Sequence, residues 1–188
     1  MVITAQADRE LVVLLDEQRQ PIGTAPKATV HTRSTALHLA FSCHLVDDDG
    51  RMLVTRRALG KIAWPGVWTN ACCGHPAPGE PMEDAVRRRL AHELGVGVDG
   101  LELALPDFAY RAVDASGIVE NEVCPVYTGR IVGEPRPDPA EVAEWAWVEP
   151  DRLQTGIRAT PWAFSPWLVL QAEQLHLFDA PSRQRRAS

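Results

Sequence analysis

The densest group of reactive side chains lies in a segment rich in proline and glycine. Residues 64–76 read Trp-Pro-Gly-Val-Trp-Thr-Asn-Ala-Cys-Cys-Gly-His-Pro, which places two thiols and one imidazole among rigid turn residues. Such a segment holds side chains in fixed positions, and thiols and imidazoles transfer protons and bind metal ions. The alternative is a plain connection in which Cys72 and Cys73 are small buried apolar groups. The segment alone leaves both interpretations open.

Two further histidines and two glutamates could join His75 in a metal site. Glu120 and Glu122 are two residues apart, so on a strand both carboxylates point to one face. Imidazoles from His31, His38 and His75 together with these carboxylates suit a six-coordinate divalent ion such as Mn²⁺, Mg²⁺ or Fe²⁺, and Zn²⁺ also accepts such ligands. Taken singly, a surface histidine and a solvated Glu-x-Glu are commoner explanations. The metal site therefore depends on a fold that brings the five residues together.

A third group is basic and could bind an anion. Its members are Lys27, Arg56, Arg57, Lys61, Arg87, Arg88 and Arg89. Arg89 and Glu93 are four residues apart on a predicted helix, so an ion pair is the plain explanation. The functional alternative is a diphosphate held by guanidinium groups, with a Mg²⁺ ion that Glu93 helps to bind.

The chain also holds an unusual number of tryptophans: Trp64, Trp68, Trp145, Trp147, Trp162 and Trp167. Core packing accounts for most aromatic side chains of this size. The sharper alternative is an aromatic wall around an apolar substrate, because ring faces stabilise positive charge.

The elements that must position these residues are predicted from periodicity. Strands are predicted at 11–15, 37–46, 51–57, 119–132 and 143–148, and the turn 47–50 makes the second and third a hairpin. A helix is predicted at about 81–94, where apolar residues recur every four positions and Gly95 follows as a stop. Ser165 and Pro166 form the cap and first turn of a last helix. This order predicts an α/β (α+β) fold with a mixed central β-sheet between helices.

Length and charge limit the classes of protein that the sequence can encode. The 188 residues correspond to about one domain, for which we predict an N-terminal extension at 1–10, a single domain at 11–178 and a disordered tail at 179–188. A net charge of −6 argues against nucleic-acid binding. The sequence contains neither an apolar run of the roughly 20 residues that a membrane helix needs nor a signal peptide, so we expect a cytoplasmic protein with reduced cysteines and no membrane partner. We also expect a monomer rather than an obligate oligomer.

Six sequence blocks occur in a fixed order along the chain. They are His38-Leu-Ala-Phe, Leu53-Val-Thr-Arg-Arg-Ala, Trp64-Pro-Gly-Val-Trp-Thr-Asn, Cys73-Gly-His-Pro, Gly117-Ile-Val-Glu-Asn-Glu-Val-Cys-Pro and Thr160-Pro-Trp-Ala-Phe-Ser-Pro-Trp. Together they resemble the type 1 isopentenyl-diphosphate isomerases, Nudix-fold enzymes of isoprenoid synthesis, and the similarity runs from about Leu11 to Gln171. It implies a Nudix-type α/β/α sandwich.

The Nudix signature itself is only partly present. Its pattern is matched by Gly74, Glu80, Arg88, Leu90, Glu93, Gly95 and Val96. Arg89 and His92, however, occupy positions where the hydrolases of this fold carry glutamates. The resemblance therefore implies a diphosphate-binding protein whose hydrolytic metal cluster is depleted.

The resemblance implies an enzyme that interconverts isopentenyl and dimethylallyl diphosphate, small allylic and homoallylic substrates, by moving protons. It implies His31, His38, His75, Glu120 and Glu122 as ligands of a first divalent ion, Mn²⁺ or another such as Mg²⁺ or Zn²⁺. It implies a second Mg²⁺ that bridges to the diphosphate and is held by Glu93 and the Cys73 carbonyl. The implied diphosphate contacts are Lys27, Arg57, Lys61 and Arg89. The implied acid/base residues are Cys73 and Glu122, with Tyr110 supporting the glutamate and Trp167 lying against the developing cation.

Two other functions remain open from the sequence. The first is a diphosphate hydrolase of the same fold, which Arg89 and His92 disfavour. The second is a zinc-stabilised binding module using Cys72, Cys73 and His75, although Cys-Cys-x-His lacks the paired spacing of structural zinc sites. Within the isomerase hypothesis, the sequence leaves open whether Cys73 or Glu122 protonates the alkene.

Overall fold

The computed structural model of the chain describes residues 10–179. Apart from Glu10 and Asp179, the predicted N-terminal extension and C-terminal tail lie outside the described residues, so both stay predictions. Among residues 10–179, the helices are all too short or too polar to cross a membrane.

The described residues form twelve strands and four α-helices. The strands are β1 Leu11–Leu15, β2 Pro21–Pro26, β3 His38–Leu39, β4 Phe41–Val46, β5 Met52–Arg57, β6 Trp68–Thr69, β7 Cys72–Gly74, β8 Gly97–Leu105, β9 Ala109–Val113, β10 Val119–Val123, β11 Val126–Val132 and β12 Val142–Val148. The helices are α1 Lys27–Val30, α2 Met82–Leu94, α3 Pro150–Ala159 and α4 Pro166–Ala172, with 3₁₀ turns at Pro161–Ala163 and His176–Asp179. The α/β class predicted from the sequence is confirmed.

The strands form two mixed sheets, where the sequence led us to expect one. The first sheet has the order β2-β1-β3-β10-β9, and the second has the order β12-β5-β4-β11-β8, with β6 added to β5 and β7 to β4. Each sheet contains one parallel pair, β3 with β10 in the first and β4 with β11 in the second. The other pairs are antiparallel.

Two chain segments pass from the first sheet into the second. They explain why the structure has two sheets where one was predicted. The predicted strand 37–46 is interrupted at Ala40, and the predicted strand 119–132 is interrupted at Cys124 and Pro125. The segments stay parallel across the interruption, because the amide of Ala40 donates to the carbonyl of Val123 (2.9 Å) and the amide of Ser42 to that of Pro125 (3.1 Å). Proline removes one ladder donor at the crossing, so the chain continues but changes sheet.

The second sheet lies between two layers of helix. Phe41, Cys43 and Leu45 on one face of β4 pack with α2 in one core. Residues on the opposite face of the sheet pack with α3 and α4 in the other core, which includes Trp167 and Leu168. The alternation of side chains along β4 thus separates two cores and gives the α/β/α sandwich.

The predicted helix ends agree with the structure. Helix α2 ends at Gly95, which has a φ of 66° and donates its amide to Ala91 as a left-handed cap. At the start of α4, the side chain of Ser165 accepts from the amide of Leu168. Helix α3 was not predicted from the sequence.

Candidate functional site

Strand register brings the candidate metal ligands together at the first sheet. β10 carries Glu120 and Glu122 on one face, and its parallel neighbour β3 places His38 opposite Glu122. The antiparallel neighbour β9 places Tyr110 opposite Glu122 on the other side. Residues paired across strands have side chains on the same face, so a glutamate, a histidine and a tyrosine converge.

Three imidazoles form a compact cluster at this point. The ring centres of His31, His38 and His75 are 5.1–5.7 Å apart. One ligand atom from each of these histidines and one from Glu122 all lie within 4.8 Å of one another. Glu120 adjoins the cluster, because its Oε2 is 3.0 Å from His31 Nε2.

The cluster contains buried polar atoms that lack partners. Among residues 10–179, His31 Nε2, His38 Nε2, His75 Nδ1 and Glu120 Oε2 have no hydrogen-bond partner. Buried polar atoms without partners are rare in folded proteins and call for an explanation such as an ion. A divalent ion that accepts nitrogen and oxygen ligands would satisfy these atoms.

His38 gives the sharpest sign of a cation. Its Nδ1–H donates to the carbonyl of Ala36 (2.9 Å), so the lone pair of the neutral ring is on Nε2. Nε2 lies 3.4 Å from Glu122 Oε1, where a lone pair faces a carboxylate. Burial lowers the pKa of His38, but Glu122 raises it, and the net shift is upward. A positive charge is thus favoured between these two atoms.

Glu122 is the most heavily contacted acid of the site. Tyr110 donates its hydroxyl proton to Glu122 Oε2 (2.9 Å), and His75 Nε2 lies 3.1 Å from Oε1. Burial raises the pKa of Glu122, yet the contacts to His38 and His75 hold it well below its usual value. Burial also raises the pKa of Glu120 and lowers that of His75 to about 4. These contacts therefore keep the buried Glu122 side chain in its carboxylate form, which can bind a cation.

Cys73 is the less buried member of the cysteine pair. It is half-buried on β7 opposite Ser42 of β4, and its Sγ lies 3.3 Å from Ser42 Oγ. The thiol donates to Asn70 Oδ1 (3.2 Å). Burial raises the pKa of Cys73 to about 11, so the group is a neutral thiol at pH 7. Cys72 is buried in the α2 core on the opposite side of the sheet.

An aromatic wall joins the thiol to the glutamate. The Tyr110 ring is 5.6 Å from that of Trp167, and the Trp64 ring meets Trp167 edge-on at 5.7 Å. These three rings and Cys73 belong to one apolar cluster. Aromatic faces beside a polar acid and a thiol form a dry surface that stabilises a cation.

The structure divides the basic residues into two sets. The guanidinium of Arg57 donates to the carbonyls of Ala63 and Trp64 and lies 5.2 Å from the ring of Trp167. Arg57 and Lys61 line a small cavity together with Cys73 and Glu93. By contrast, Arg56, Arg87 and Arg88 bind Glu144, the carbonyl of Val98 and Glu80 respectively. The second set supports neighbouring structure.

Three carboxylates pair with the other candidate diphosphate contacts, Lys27, Lys61 and Arg89. Arg89 is 3% exposed and donates to Glu93 through Nε (3.0 Å) and to Glu141 through a terminal nitrogen (3.2 Å). Glu141 also bonds Lys61, and Lys27 bonds Glu10 (2.6 Å). Burial opposes ionisation of Glu141, but Lys61 and Arg89 lower its pKa to about 2. Sequence reasoning assigned no role to Glu141, which lies in no chemical motif, or to Asn70, which lies in the segment 64–76 but has a common neutral side chain.

Comparison with known proteins identifies close relatives along nearly the whole chain. A protein of Agromyces mediolanus named isopentenyl-diphosphate Delta-isomerase is 68% identical over 166 residues, which cover 88% of this chain and 81% of that protein. A protein of the same name from Leifsonia xyli subsp. xyli is 64% identical over 180 residues, which cover 94% of this chain and 97% of that protein. The NUDIX domain family matches residues 36–168.

Solved structures agree on the fold. DR0079 from Deinococcus radiodurans has a TM-score of 0.69 at 19% identity and covers 89% of this chain and 99% of its own. A MutT NUDIX hydrolase from Burkholderia pseudomallei has a TM-score of 0.58 at 27% identity and covers 73% of this chain and 97% of its own. The Nudix-type sandwich predicted from the sequence is confirmed.

Proposed function

Because this chain belongs to the isopentenyl-diphosphate Delta-isomerase family and carries a Nudix domain, we propose that it interconverts isopentenyl and dimethylallyl diphosphate. The protein is an enzyme, and its substrates are small diphosphates. The single observation that best supports this function is one apolar cluster that contains Cys73, Trp64, Tyr110 and Trp167, with the Tyr110 hydroxyl bonded to Glu122.

The reaction needs two proton transfers at opposite ends of an allylic unit. One proton is added to the terminal alkene carbon C4 and one is removed from C2, so that the double bond moves and no atom is lost. The charge that develops between them is that of a tertiary carbocation. An enzyme for this step must hold one proton donor and one proton acceptor beside a dry cavity.

We assign the two proton transfers to Cys73 and Glu122. Burial keeps a proton on the Cys73 thiol at pH 7, whereas the contacts of Glu122 favour the carboxylate. One group thus carries a proton while the other can accept one. Tyr110 holds Glu122 through its hydroxyl, and Trp167 presents its ring beside Tyr110, where it can stabilise the cation. The aromatic side chains also exclude water, which would capture that cation.

His31, His38, His75, Glu120 and Glu122 would hold a divalent ion. The unpartnered nitrogen and oxygen atoms of the cluster fit such an ion, and their mixed donors suit Mn²⁺, Mg²⁺ or Zn²⁺. When bound, the ion would supply positive charge that fixes Glu122 and adjusts its affinity for a proton.

The diphosphate is assigned to the basic side of the cavity. Lys27, Arg57, Lys61 and Arg89 would contact it, and Glu93 with the Cys73 carbonyl would hold a second ion, Mg²⁺, beside it. Because every one of these cations except Arg57 already pairs with a carboxylate, an added Mg²⁺ would offset the carboxylate charge when the anion enters.

The hydrolase alternative is disfavoured by the same residues. Arg89 stands where hydrolases of this fold carry a glutamate, and its buried guanidinium is bonded to Glu93. A cation at that position replaces one of the negative charges that a hydrolytic metal cluster would need.

The function is tested by incubating the protein with isopentenyl diphosphate and Mg²⁺ in D₂O and following the alkene and methyl protons by NMR. We expect dimethylallyl diphosphate to form with uptake of deuterium. Release of phosphate or pyrophosphate without a shifted double bond would identify a hydrolase instead. If the protein forms neither dimethylallyl diphosphate nor phosphate, the result contradicts both functions. A cytoplasmic location stays a prediction that this assay does not address.

A further inference from the structure

Asn70 is a fully buried polar residue between β6 and β7 that the mechanism above does not use. Its side chain is 0% exposed. Its Nδ2 group donates to the carbonyl of Cys43 (3.0 Å) on β4 and to the carbonyl of Cys72 (2.8 Å) on β7. Because carbonyl oxygens only accept, these two contacts fix which end of the amide is nitrogen. The oxygen of Asn70 must therefore point the other way.

The Asn70 oxygen accepts from three donors. Thr69 Oγ1 lies at 2.9 Å, Trp167 Nε1 at 3.1 Å and Cys73 Sγ at 3.2 Å. Two of these donors belong to side chains assigned above to the reaction, the thiol of Cys73 and the ring of Trp167. A single buried oxygen thus contacts both groups.

The second contact of the thiol leaves it little freedom. Ser42 Oγ lies 3.3 Å from Cys73 Sγ and accepts from Gln171 Nε2 (2.9 Å), so the hydroxyl is itself held in place. Sulfur forms weak hydrogen bonds, and a lone thiol on a short side chain readily changes rotamer. The Asn70 oxygen and the Ser42 hydroxyl together hold the sulfur in one orientation.

We propose that Asn70 is a positioning residue that aims the Cys73 thiol and the Trp167 ring at the same point of the substrate. This inference rests on the proposed function, because it assumes that Cys73 transfers a proton. A misplacement of about 1 Å at a reacting group can lower a rate on the order of 100-fold. The contact to both groups explains why a buried amide lies beside a proton-transferring thiol.

The first test measures the S–H stretching vibration of Cys73 by infrared difference spectroscopy. The spectrum of the Cys73→Ser variant is subtracted from that of the wild-type protein, which isolates the Cys73 band. The thiols of Cys43 and Cys72 have acceptors only at 3.9 Å and 3.7 Å, so their S–H bonds are weakly perturbed. We expect the Cys73 band at a lower frequency than theirs. A Cys73 band at the same or a higher frequency would overturn the inference even if every Asn70 variant failed to fold.

The second test removes the side-chain oxygen of Asn70. In Asn70→Leu, we expect the Cys73 S–H band to move to higher frequency and kcat to fall on the order of 100-fold, with KM within about threefold of the wild-type value. Thr55→Val is the matched control, because it removes the buried hydroxyl that donates to the Asn70 main-chain carbonyl (2.9 Å) and leaves the side-chain amide intact. Because Thr55 lines the cavity assigned to the diphosphate, the control is read from the thiol, and we expect its Cys73 S–H band to stay at the wild-type frequency.

The outcomes separate this inference from the function on which it rests. If Cys73→Ser is inactive while Asn70→Leu keeps wild-type kcat or an unshifted S–H band, Asn70 does not position the thiol. If Thr55→Val shifts the Cys73 S–H band as much as Asn70→Leu does, the effect is a general disturbance of the loop, and the inference also fails. If Cys73→Ser itself keeps full activity, the assignment of the proton transfer to Cys73 is wrong.

Discussion

Among single residues, His38 carries the most specific chemical information. Its Nδ1–H is committed to Ala36, and its Nε2 faces a carboxylate oxygen at 3.4 Å. In the neutral ring, His38 Nε2 and Glu122 Oε1 are both acceptors. Their contact is favourable only if a cation or a proton lies between them. Beside it, His31 Nε2 and Glu120 Oε2 lie 3.0 Å apart, and both atoms lack a hydrogen-bond partner within residues 10–179.

A bound ion should stabilise the folded protein. At a metal concentration about 100 times the dissociation constant, binding adds about 2.7 kcal/mol, which for a domain of this size raises Tm by about 5–10 °C. We predict this rise for the wild type when Zn²⁺ or Mn²⁺ is added after chelation, measured by circular dichroism. His38→Gln should lose the rise, whereas His92→Gln should keep it, because His92 is exposed on α2. An equal rise in His38→Gln would rule out the cluster as the metal site.

The Tyr110 hydroxyl is predicted to support Glu122 during turnover. A hydrogen bond to a charged group contributes about 1.5–3 kcal/mol, so Tyr110→Phe should lower kcat by about 10-fold to 100-fold. The other tyrosine of the chain provides the control, since Tyr127 lies on β11 in the core beside α2. Steady-state kinetics should show nearly unchanged kcat for Tyr127→Phe. Equal kcat values for Tyr110→Phe and Tyr127→Phe would show that Tyr110 does not support Glu122.

Charged residues and candidate metal ligands are easier to select from the sequence than the neutral residues that contact them. The selected ligands have distinctive chemistry, two of them share a strand face, and the structure brings all five close together: His31, His38, His75, Glu120 and Glu122. Asn70 and Glu141 have common side chains, and the contacts of Asn70 with Trp167 and of Glu141 with Arg89 span 97 and 52 residues of sequence. Only the packed structure reveals such contacts.

At the scale of elements, β7 and α2 approach so closely that Gly74 leaves no space for a side chain. A Cβ at this position would lie 2.9 Å from Arg89 Cγ and 3.0 Å from Phe41 Cζ. We predict that Gly74→Ala lowers the free energy of unfolding by about 1–3 kcal/mol, because overpacking forces neighbours apart. Urea denaturation measures this change. Gly60→Ala is the control and should not destabilise the protein, since nothing lies within 4 Å of its added Cβ.

The buried contact between β4 and α4 predicts a loss of stability in mild acid. His44 Nε2 lies 2.8 Å from Gln171 Oε1, and burial lowers the pKa of His44 to about 4. The unfolded chain binds the proton near pH 6.5, so stability is full above pH 6.5 and falls as pH drops from 6.5 toward 4. Between pH 7.5 and 5, this group should cost about 2 kcal/mol.

His44→Gln isolates this titration, because glutamine keeps a donor for Gln171 and carries no titrating group. We predict that urea unfolding at pH 7.5 and pH 5 shows about 2 kcal/mol less acid sensitivity in the variant than in the wild type. Parallel pH dependence of the two proteins would show that His44 does not stay neutral in the fold.

Elements with strong local signals were predicted well, and those with weak ones were not. Helix α2 has four apolar residues at a spacing of four and a glycine cap, and the structure confirms it at Met82–Leu94. Helix α3 buries only Pro150, Leu153 and Ile157 and contains Gly156, so its periodicity is weak. The interruption at Ala40 escaped prediction because alternation continues through it, and only pairing with a distant strand shows the change of sheet.

At the scale of the whole molecule, the fold keeps the candidate diphosphate contacts and the candidate metal ligands in two separate groups. The chain as a whole carries a net charge of −6, so the proposed function requires that a diphosphate be attracted locally. Under that proposal, Lys27, Lys61 and Arg89 would supply the attraction, and the histidines with Glu122 would hold a cation. The chain links the two sheets directly, because β3 carries His38 in the first sheet and β4 carries Ser42 in the second.

This arrangement also explains why neighbouring cysteines have different environments. Cys72 and Cys73 are adjacent on β7, so their side chains point to opposite faces of the second sheet. Cys72 lies in the α2 core and is 2% exposed, and Cys73 packs against the cluster that contains Tyr110 and Trp167. Replacing either cysteine by alanine removes the same thiol. A comparison of the two variants therefore tests only the side of the sheet on which the thiol lies.

The most direct test of the account is the rate of double-bond migration in D₂O for Cys73→Ala and Cys72→Ala, followed side by side by NMR with isopentenyl diphosphate. We predict that Cys73→Ala lowers kcat at least about 100-fold, as expected for loss of a proton-transferring group. Cys72→Ala should keep kcat close to the wild-type value per folded molecule. Wild-type turnover by Cys73→Ala, or equal losses in the two variants, would contradict the account.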